Sequence, residues 1–341
     1  MSFRYLNPIP SPDEIKAELP MNAELRRIKG ERDRLIQGIF TGESDKFLLV
    51  IGPCSADTEA PVLEYIHRLA ILQEEVKDHI VMVPRIYTNK PRTTGEGYKG
   101  MMHQPNLDEA PNLVEGIRAI RRLHLKAIGE SGLSGADEML YPANDPYVSD
   151  LLSYVAVGAR SVENQQHRIT ASGLDIPVGM KNPTSGDIAV MLNSIQSAHM
   201  GHTFIYDDHA VKTSGNPLAH AILRGAVNQL GRSIPNYHFE DLIQLAADYE
   251  KRGLANPSIL VDTNHANSMK RYEEQPRIAL EILQNRNHSP ILKQMVKGLM
   301  IESYLLDGRQ DQLEVLGKSI TDPCIGWDLT RRLVHDMAEL L

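Results

Sequence analysis

Cysteine, long apolar runs and excess basic charge are all scarce in this chain. Only Cys54 and Cys324 are present, too few for the disulfide framework of a small secreted domain. No apolar run approaches the roughly 18 residues that cross a membrane, and the polar N-terminus lacks the apolar core of a signal peptide. The 36 basic and 44 acidic side chains leave a net charge of −8, which speaks against a nucleic-acid-binding surface. We therefore expect a cytoplasmic protein without nucleic-acid or membrane partners.

A repeated pattern of short apolar runs and amphipathic stretches begins at Phe47. With 341 residues and 42% hydrophobic side chains, the chain can bury a full core. The apolar runs are rich in β-branched residues and are bounded by turn residues, as in strands buried on both faces. They cover residues 47–52, 80–86, 138–141, 155–162, 176–180, 203–206, 259–263 and 298–304. Helical candidates follow most of them, at 60–77, 107–130, 188–198 and 272–285.

Eight strand–helix units in under about 300 residues predict an α/β fold, a (β/α)8 TIM barrel spanning residues 47–341. An open, doubly wound sheet is the structural alternative. Residues 1–46 contain several prolines, mixed charge and helical patterns at 13–19 and 23–39. They predict an N-terminal helical extension that either makes oligomer contacts or caps the barrel.

Ionisable side chains fall at or just beyond the ends of most predicted strands. They are Cys54, Arg85, Glu138, Arg160, Lys181, His265 and Glu302. Burying so many separate charges would be costly without a shared ligand or metal. In a barrel the carboxyl ends of the strands meet at one mouth. The pattern therefore favours the barrel over the open sheet and predicts a single site there.

Four of the dispersed polar residues form a candidate metal site. They are Cys54, His265, Glu302 and Asp322. A thiolate, an imidazole and two carboxylates suit one divalent ion such as Mn²⁺, Fe²⁺, Co²⁺ or Zn²⁺. No short motif joins these residues, so a buried cysteine and satisfied core polar groups are the better explanation for any one of them taken singly.

A second set is cationic. Its members are Arg85, Lys90, Arg92, Arg160, Lys181 and Arg224. Arginine forks bind phosphate or carboxylate through two parallel hydrogen bonds, and lysine supplies a point charge. On an acidic chain, cations that close apolar strands indicate small anionic substrates. A solvated basic face is the alternative for any one of them.

Several blocks of sequence resemble the type I 3-deoxy-D-arabino-heptulosonate 7-phosphate (DAHP) synthases. The resemblance runs from about Phe47 to the C-terminus. It rests on Ile51-Gly52-Pro53-Cys54-Ser55, Lys90-Pro91-Arg92-Thr93-Thr94, Gly158-Ala159-Arg160, Pro177-Val178-Gly179-Met180-Lys181-Asn182, Leu223-Arg224-Gly225, His265-Ala266-Asn267-Ser268 and Gly317-Lys318-Ser319-Ile320-Thr321-Asp322. The resemblance implies a metal-dependent transferase that catalyses the first step of the shikimate pathway, toward the aromatic amino acids. Its substrates would be phosphoenolpyruvate and D-erythrose 4-phosphate.

The resemblance also implies a role for each site residue. Cys54, His265, Glu302 and Asp322 would hold the metal, and Arg85, Arg160, Lys181 and Arg224 would hold phosphoenolpyruvate. Arg92 and Thr93 would hold erythrose 4-phosphate. Lys90 would face the reacting centre and deliver a proton, or orient phosphoenolpyruvate or water, and Glu138 would position water.

Further expectations concern rival activities, assembly, Cys324 and inhibition. One alternative is a related synthase that uses arabinose 5-phosphate, but it carries a Lys-Ala-Asn-Arg type motif where this chain has Lys90-Pro91-Arg92-Thr93. The other is a catalytically silent barrel, which would not need both the candidate metal ligands and the cations. The resemblance implies a homodimer or homotetramer. It also implies that Cys324 lies near the metal site, so that loss of the metal would allow a Cys54–Cys324 disulfide and inactivation. A short segment at 206–214, with Tyr141, Asp145 and Asp175 at pocket positions, predicts weak or absent inhibition by aromatic amino acids.

Overall fold

A closed ring of eight parallel strands forms the centre of the molecule. The computed structural model describes residues 2–91, 98–106 and 109–341. In chain order the ring strands are β1 (Phe47–Gly52), β2 (Ile80–Pro84), β3 (Ala136–Glu138), β4 (Tyr154–Val157), β5 (Val178–Lys181), β6 (Ala219–Leu223), β7 (Ile259–Asp262) and β8 (Val296–Glu302). Each strand pairs with its neighbours in chain order, and β8 pairs with β1. A parallel bridge between Arg85 and Ala136 joins β2 to β3 and completes the ring. The predicted (β/α)8 barrel is confirmed.

Strict alternation along the strands explains why their sequences are continuously apolar. In β1, Leu48 and Val50 point into the barrel and pack with inward-facing residues such as Met300. Phe47, Leu49 and Ile51 point outward, into the larger core between the strands and the helices. Both faces of the strand are therefore buried, as period-2 geometry requires when helices surround a parallel sheet.

Helices surround the ring. The α-helices are Pro12–Glu18, Ala23–Thr41, Glu59–Val76, Leu113–Ser131, Gln165–Ala171, Ile188–His199, Phe239–Arg252, Gln275–His288, Pro290–Met295 and Trp327–Leu340, with 3-10 turns at Pro142–Tyr147 and Tyr272–Glu274. Local chemistry sets many of their ends. In Leu113–Ser131, for example, the Asn112 side chain accepts from the Glu115 amide, and Gly132 ends the helix with φ +72°. None of the helices in the described ranges has the length and apolarity needed to span a membrane.

The sixth barrel strand differs from the prediction. The predicted run at residues 203–206 is a strand, but it forms an antiparallel hairpin with His209–Lys212 outside the ring. Its residues alternate between exposed and half-buried. The true sixth strand, Ala219–Leu223, is wholly buried. It contains two alanines and a histidine, which have weak strand propensity, so its sequence did not stand out.

Other boundaries shift by a few residues. The third strand ends, rather than begins, at Glu138, and the fourth ends at Val157 instead of continuing to 162. The helix predicted from 107 starts at Leu113, and residue 107 lies outside the described ranges. The helices Gln165–Ala171, Phe239–Arg252 and Trp327–Leu340 were not predicted.

The second N-terminal helix, Ala23–Thr41, contacts the barrel interior. Ile36, Ile39 and Phe40 near its C-terminal end pack against inward-facing strand residues. The Phe40 ring lies 4.4 Å from the imidazole of His220 in β6, measured between centroids. The helix therefore covers the N-terminal mouth of the barrel, and the opposite, C-terminal mouth carries the functional side chains described next.

Candidate active site

The carboxyl ends of the strands bring most of the predicted site residues to one mouth. Glu138, Lys181 and Glu302 are the last residues of β3, β5 and β8. Arg85 and Arg224 directly follow β2 and β6, whereas Cys54, Lys90, Arg160, His265 and Asp322 lie in the loops beyond β1, β2, β4, β7 and β8. This is the end at which (β/α)8 enzymes hold their active sites.

The four predicted metal ligands converge. Donor atoms of Cys54, Glu302 and Asp322 all lie within 4.8 Å of one another. The Nε2 atom of His265 lies 3.8 Å from Oε1 of Glu302 and 3.9 Å from Oδ2 of Asp322. Donor atoms of three residues therefore converge, and the His265 imidazole lies beside the two carboxylates. One sulfur, one nitrogen and two carboxylates are a donor set that fits a borderline divalent ion.

The electrostatics of these ligands are those of a site built around a cation. Burial, together with Glu302, raises the pKa of the Cys54 thiol to about 12. Burial alone would also raise the pKa of Glu302, but Lys90, His265 and Arg85 outweigh it and hold that pKa below its usual range. Glu302 is thus an anion, while the Cys54 thiol would have to release its proton to solvent in order to hold a metal as a thiolate.

Asp262, which was not predicted as a site residue, contacts His265, the predicted histidine ligand. This last residue of β7 is fully buried. Its Oδ2 atom lies 2.7 Å from Nζ of Lys181 and 2.9 Å from Nδ1 of His265, the latter an ion-pair distance without the alignment of a hydrogen bond. Burial opposes its charge, but His265 and Lys181 lower the pKa of Asp262 well below its usual value. The carboxylate faces Nδ1 of His265, so the other ring nitrogen, Nε2, points toward Glu302 and Asp322.

Two amides, also missed from the sequence, fix the position of Glu302. The Nδ2 group of Asn264 donates to Oε2 of Glu302 at 2.6 Å. Gln275 bonds both backbone groups of Glu302: it donates to the carbonyl at 2.8 Å and accepts from the amide at 2.9 Å. The carboxylate is thereby held in one orientation.

Two buried cations face the same carboxylate. Nη2 of Arg85 lies 3.2 Å from Oε1 of Glu302, and Nζ of Lys90 lies 3.4 Å from the same atom. The Arg85 guanidinium also stacks over the Tyr87 ring at 4.0 Å. Burial alone would lower the pKa of Lys90, but the nearby acidic groups raise it well above its usual value. Lys90 is therefore an ammonium group close to the metal ligands.

Unsatisfied donors mark a place for an anion. Nη1 of Arg85 and Nη1 of Arg224 are both buried without a hydrogen-bond partner among the described residues. Burial also lowers the pKa of Arg224. Buried guanidinium groups are normally paired, so these nitrogens point to a missing anionic partner.

Arg160 differs from these buried cations in its exposure. Its side chain is exposed in the turn after β4 and forms no ion pair within the ranges the structure describes. Arg92 and Thr93 lie outside the described residues.

Glu138 occupies a space that a glycine provides. Its side chain is 9% exposed, and its carboxylate accepts no hydrogen bond from the described residues. A Cβ at position 158 would overlap Oε1 of Glu138. Only glycine at 158 leaves this carboxylate in place, which gives the Gly158-Ala159-Arg160 block a physical reason.

Asp137 supports the loop that carries Lys90 and was likewise not predicted. Its two carboxylate oxygens accept from the amide and the hydroxyl of Thr88, at 3.0 and 2.5 Å. The Asn89 amide donates in turn to the Thr88 hydroxyl.

Cys324 is free, as is Cys54, and its thiol faces the Asp322 carbonyl at 3.6 Å. The disulfide implied by the resemblance stays a prediction.

Comparison with known proteins identifies the family. The sequence profile described as the DAHP synthetase I family matches residues 20–335. This chain belongs to the DAHP synthetase I family. A "Phospho-2-dehydro-3-deoxyheptonate aldolase" from Haemophilus influenzae is 38% identical over 310 residues, which cover 88% of this chain and 83% of the relative. The Phe-sensitive aldolase of Escherichia coli is 37% identical over 344 residues, covering 95% of each chain.

A solved structure shows the same DAHP synthetase architecture. The phospho-2-dehydro-3-deoxyheptonate aldolase of Francisella tularensis SCHU S4 superposes with a TM-score of 0.91 at 30% identity. The match covers 99% of this chain and 98% of the other. The resemblance drawn from the sequence blocks is therefore confirmed.

Proposed function

We propose that the C-terminal mouth of the barrel carries out the DAHP synthase reaction with the residues assigned below. Membership of the family gives the overall reaction: phosphoenolpyruvate, D-erythrose 4-phosphate and water yield DAHP and phosphate, the first step of the shikimate pathway. The observation that carries the assignment is the convergence of the Cys54, Glu302 and Asp322 donor atoms within 4.8 Å, beside buried cations.

The donor set supports one divalent ion, Mn²⁺, Fe²⁺, Co²⁺ or Zn²⁺, held by Cys54, His265, Glu302 and Asp322. When bound, such an ion supplies Lewis-acid polarisation of the aldehyde oxygen of the sugar phosphate. The neutral thiol expected from the raised pKa of Cys54 means that binding near neutral pH releases a proton.

Phosphoenolpyruvate fits the buried cations. Arg85 and Arg224 each have one buried nitrogen without a partner among the described residues, and a phosphate or carboxylate can satisfy both. Lys181, paired with Asp262 at 2.7 Å, extends this cationic wall. Arg160 joins the same proposal as a rim residue, since its side chain is exposed. The cations offset repulsion between two anionic substrates and fix their orientation.

Erythrose 4-phosphate is assigned to Arg92 and Thr93, on the Lys-Pro-Arg-Thr block alone. In the reaction, C3 of phosphoenolpyruvate forms a bond to the aldehyde carbon. Lys90 donates a proton to the aldehyde oxygen, consistent with its position 3.4 Å from Glu302 and 4.0 Å from Asp322. Its alternative role is to orient phosphoenolpyruvate or water.

Water then adds to C2, and phosphate leaves by C–O cleavage. Glu138 is assigned the positioning of this water, because its carboxylate is buried at the mouth and accepts no hydrogen bond from the described residues.

A phosphate-release assay tests the assignment. Phosphoenolpyruvate is supplied with erythrose 4-phosphate or arabinose 5-phosphate, with and without a chelator. We expect turnover with the four-carbon sugar only, lost on chelation and restored by a divalent ion. Preference for arabinose 5-phosphate, or full activity in chelator, would contradict the proposal.

The role of Lys90 is separable by kinetics. Lys90→Ala should lower kcat strongly if Lys90 delivers the proton. Near-normal kcat with only a raised KM would exclude that role and favour orientation of substrate. Each aromatic amino acid added to the same assay tests our expectation of weak or absent inhibition, since the Escherichia coli relatives are named Tyr-sensitive and Phe-sensitive.

We also propose a homodimer or homotetramer that works in the cytoplasm, where the Cys54 thiol stays reduced. Phe3, Tyr5 and Leu6 in the N-terminal arm are 81%, 93% and 80% exposed, which favours contact with another copy of the chain. Light scattering after size exclusion tests the assembly, and a monomeric mass at micromolar concentration would contradict it.

A further inference from the structure

A second concave region lies at the opposite end of the barrel from the active site. It is a cleft of about 540 Å³, here called the basal cleft. Asp45 and Lys46 just before β1, Pro257 just before β7, and Lys297 in β8 contribute to its walls. The reaction proposed above uses none of these residues.

A buried arginine lines the basal cleft with unused donors. Arg286 is only 6% exposed. Its Nε donates to the Val296 carbonyl at 3.1 Å, and its guanidinium carbon lies 5.3 Å from the centre of the Phe47 ring. Neither terminal nitrogen has a hydrogen-bond partner within the described part of the chain. Both terminal nitrogens reach the solvent of the cleft, and Asp45, the carboxylate in its walls, forms no ion pair with them. They are therefore placed to meet an anion that enters the cleft.

Positive charge in the cleft exceeds negative charge. Its walls include Lys46, Arg286, Lys293 and Lys297, against one carboxylate, Asp45. In the ranges the structure describes, none of the four cations forms an ion pair within 4.0 Å, and Lys46 donates to the Lys77 carbonyl. Burial lowers the pKa of Arg286. Burial and, to a smaller extent, repulsion from Arg286 lower the pKa of Lys297. This excess stands out on a chain with a net charge of −8.

We propose that the basal cleft binds a small phosphate-bearing anion. A phosphate group offers several oxygens that can accept from both terminal nitrogens of Arg286 and from the Lys297 ammonium at once. Its charge offsets the excess of cations, which a single carboxylate would leave uncompensated. The cleft volume falls in the usual range for small-molecule sites.

Calorimetric titration with inorganic pyrophosphate tests the proposal. The active site could also bind this probe, so its contribution has to be separated from that of the cleft. We therefore compare wild-type protein with Arg224→Gln, which alters only the active site, and with Lys297→Gln, which alters only the basal cleft. Lys251→Gln removes an equal charge from the last turn of the helix Phe239–Arg252, at a residue that does not line the cleft, and is the matched control. Arg286→Lys keeps the charge but loses the fork.

We expect pyrophosphate binding that persists in Arg224→Gln and Lys251→Gln. It should weaken about 10-fold when Lys297→Gln or Arg286→Lys is combined with Arg224→Gln, the loss of one charge-assisted contact, and weaken as salt rises. Thermal unfolding without ligand checks that each variant is folded. Binding lost in Arg224→Gln alone, equal losses in Lys297→Gln and Lys251→Gln, or no binding at all would each overturn the proposal.

Discussion

The contact of Asp262 with His265, the proposed histidine ligand, leads to a quantitative prediction for Asp262→Asn. The wild-type carboxylate is fully buried and faces both Nδ1 of His265 at 2.9 Å and Nζ of Lys181 at 2.7 Å. An amide keeps the shape but loses the charge that stabilises both contacts. Removing such outer partners of a metal-bound histidine typically weakens metal affinity about 10- to 100-fold, or about 1.4 to 2.7 kcal/mol.

Asp262→Asn should also destabilise the fold. The substitution leaves the Lys181 ammonium, only 4% exposed, without its carboxylate. Removing one partner of a buried ion pair typically costs about 3 to 5 kcal/mol. We expect lower unfolding free energy in urea, so metal binding must be measured where the variant is still folded.

Electron paramagnetic resonance provides the assay, because free Mn²⁺ gives a strong signal that is lost on binding. The matched control is Asp150→Asn, which also removes a carboxylate from a buried cation: Asp150 pairs with Arg121, itself 1% exposed, at 2.7 Å. It makes no contact with the metal ligands. We expect weakened Mn²⁺ affinity in Asp262→Asn and unchanged affinity in Asp150→Asn. Equal Mn²⁺ affinity in Asp262→Asn and wild type would refute the reasoning.

Three further outcomes follow from the structure. Gly158→Ala should lower kcat about 100-fold, because the added Cβ displaces the Glu138 carboxylate. Phosphate release under saturating substrates measures kcat. An unchanged kcat would show that Glu138 needs no fixed position. Burial lowers the pKa of His220 from 6.5 to about 4, so the unfolded chain takes up a proton first as pH falls. The His220 contribution to unfolding free energy should be constant above about pH 6.5 and fall by about 3 kcal/mol toward pH 4; urea denaturation compared with His220→Gln isolates it, and parallel curves would contradict it. Metal addition at pH 7 should release a proton in wild type and in Cys324→Ser but not in Cys54→Ser, as followed with a pH indicator; release by Cys54→Ser would exclude the thiol as its source.

The barrel could be predicted because its signal is local and repeated. Strands such as Phe47–Gly52 are apolar on both faces, so their runs are continuous and easily recognised. The strand Ala219–Leu223 is equally buried, but alanine and histidine carry little strand signal. The hairpin strand Thr203–Tyr206 has the stronger β-branched and aromatic composition. Burial, which separates the two in the fold, is not visible in so short a segment.

The sequence indicated which side chains lie at the mouth of the barrel, but not the residues that hold them in position. Cys54 follows an apolar strand and Glu302 ends one, and a polar side chain at either position is conspicuous. Asp262 ends a strand in the same way, yet one carboxylate gives no hint of the partners that fold onto it. Asn264 and Gln275 act on Glu302 from different segments, and such contacts depend on tertiary packing. The exposure of Arg160 is equally a property of the folded turn.

The most direct test of the account is anomalous diffraction from crystals grown with Mn²⁺. The central claim is that one divalent ion lies among Cys54, His265, Glu302 and Asp322 at the C-terminal mouth of the barrel. The account predicts one strong anomalous peak per chain within bonding distance of the Cys54 sulfur, Nε2 of His265 and an oxygen of each carboxylate. A strong peak elsewhere, or none at these four residues under saturating Mn²⁺, would contradict it.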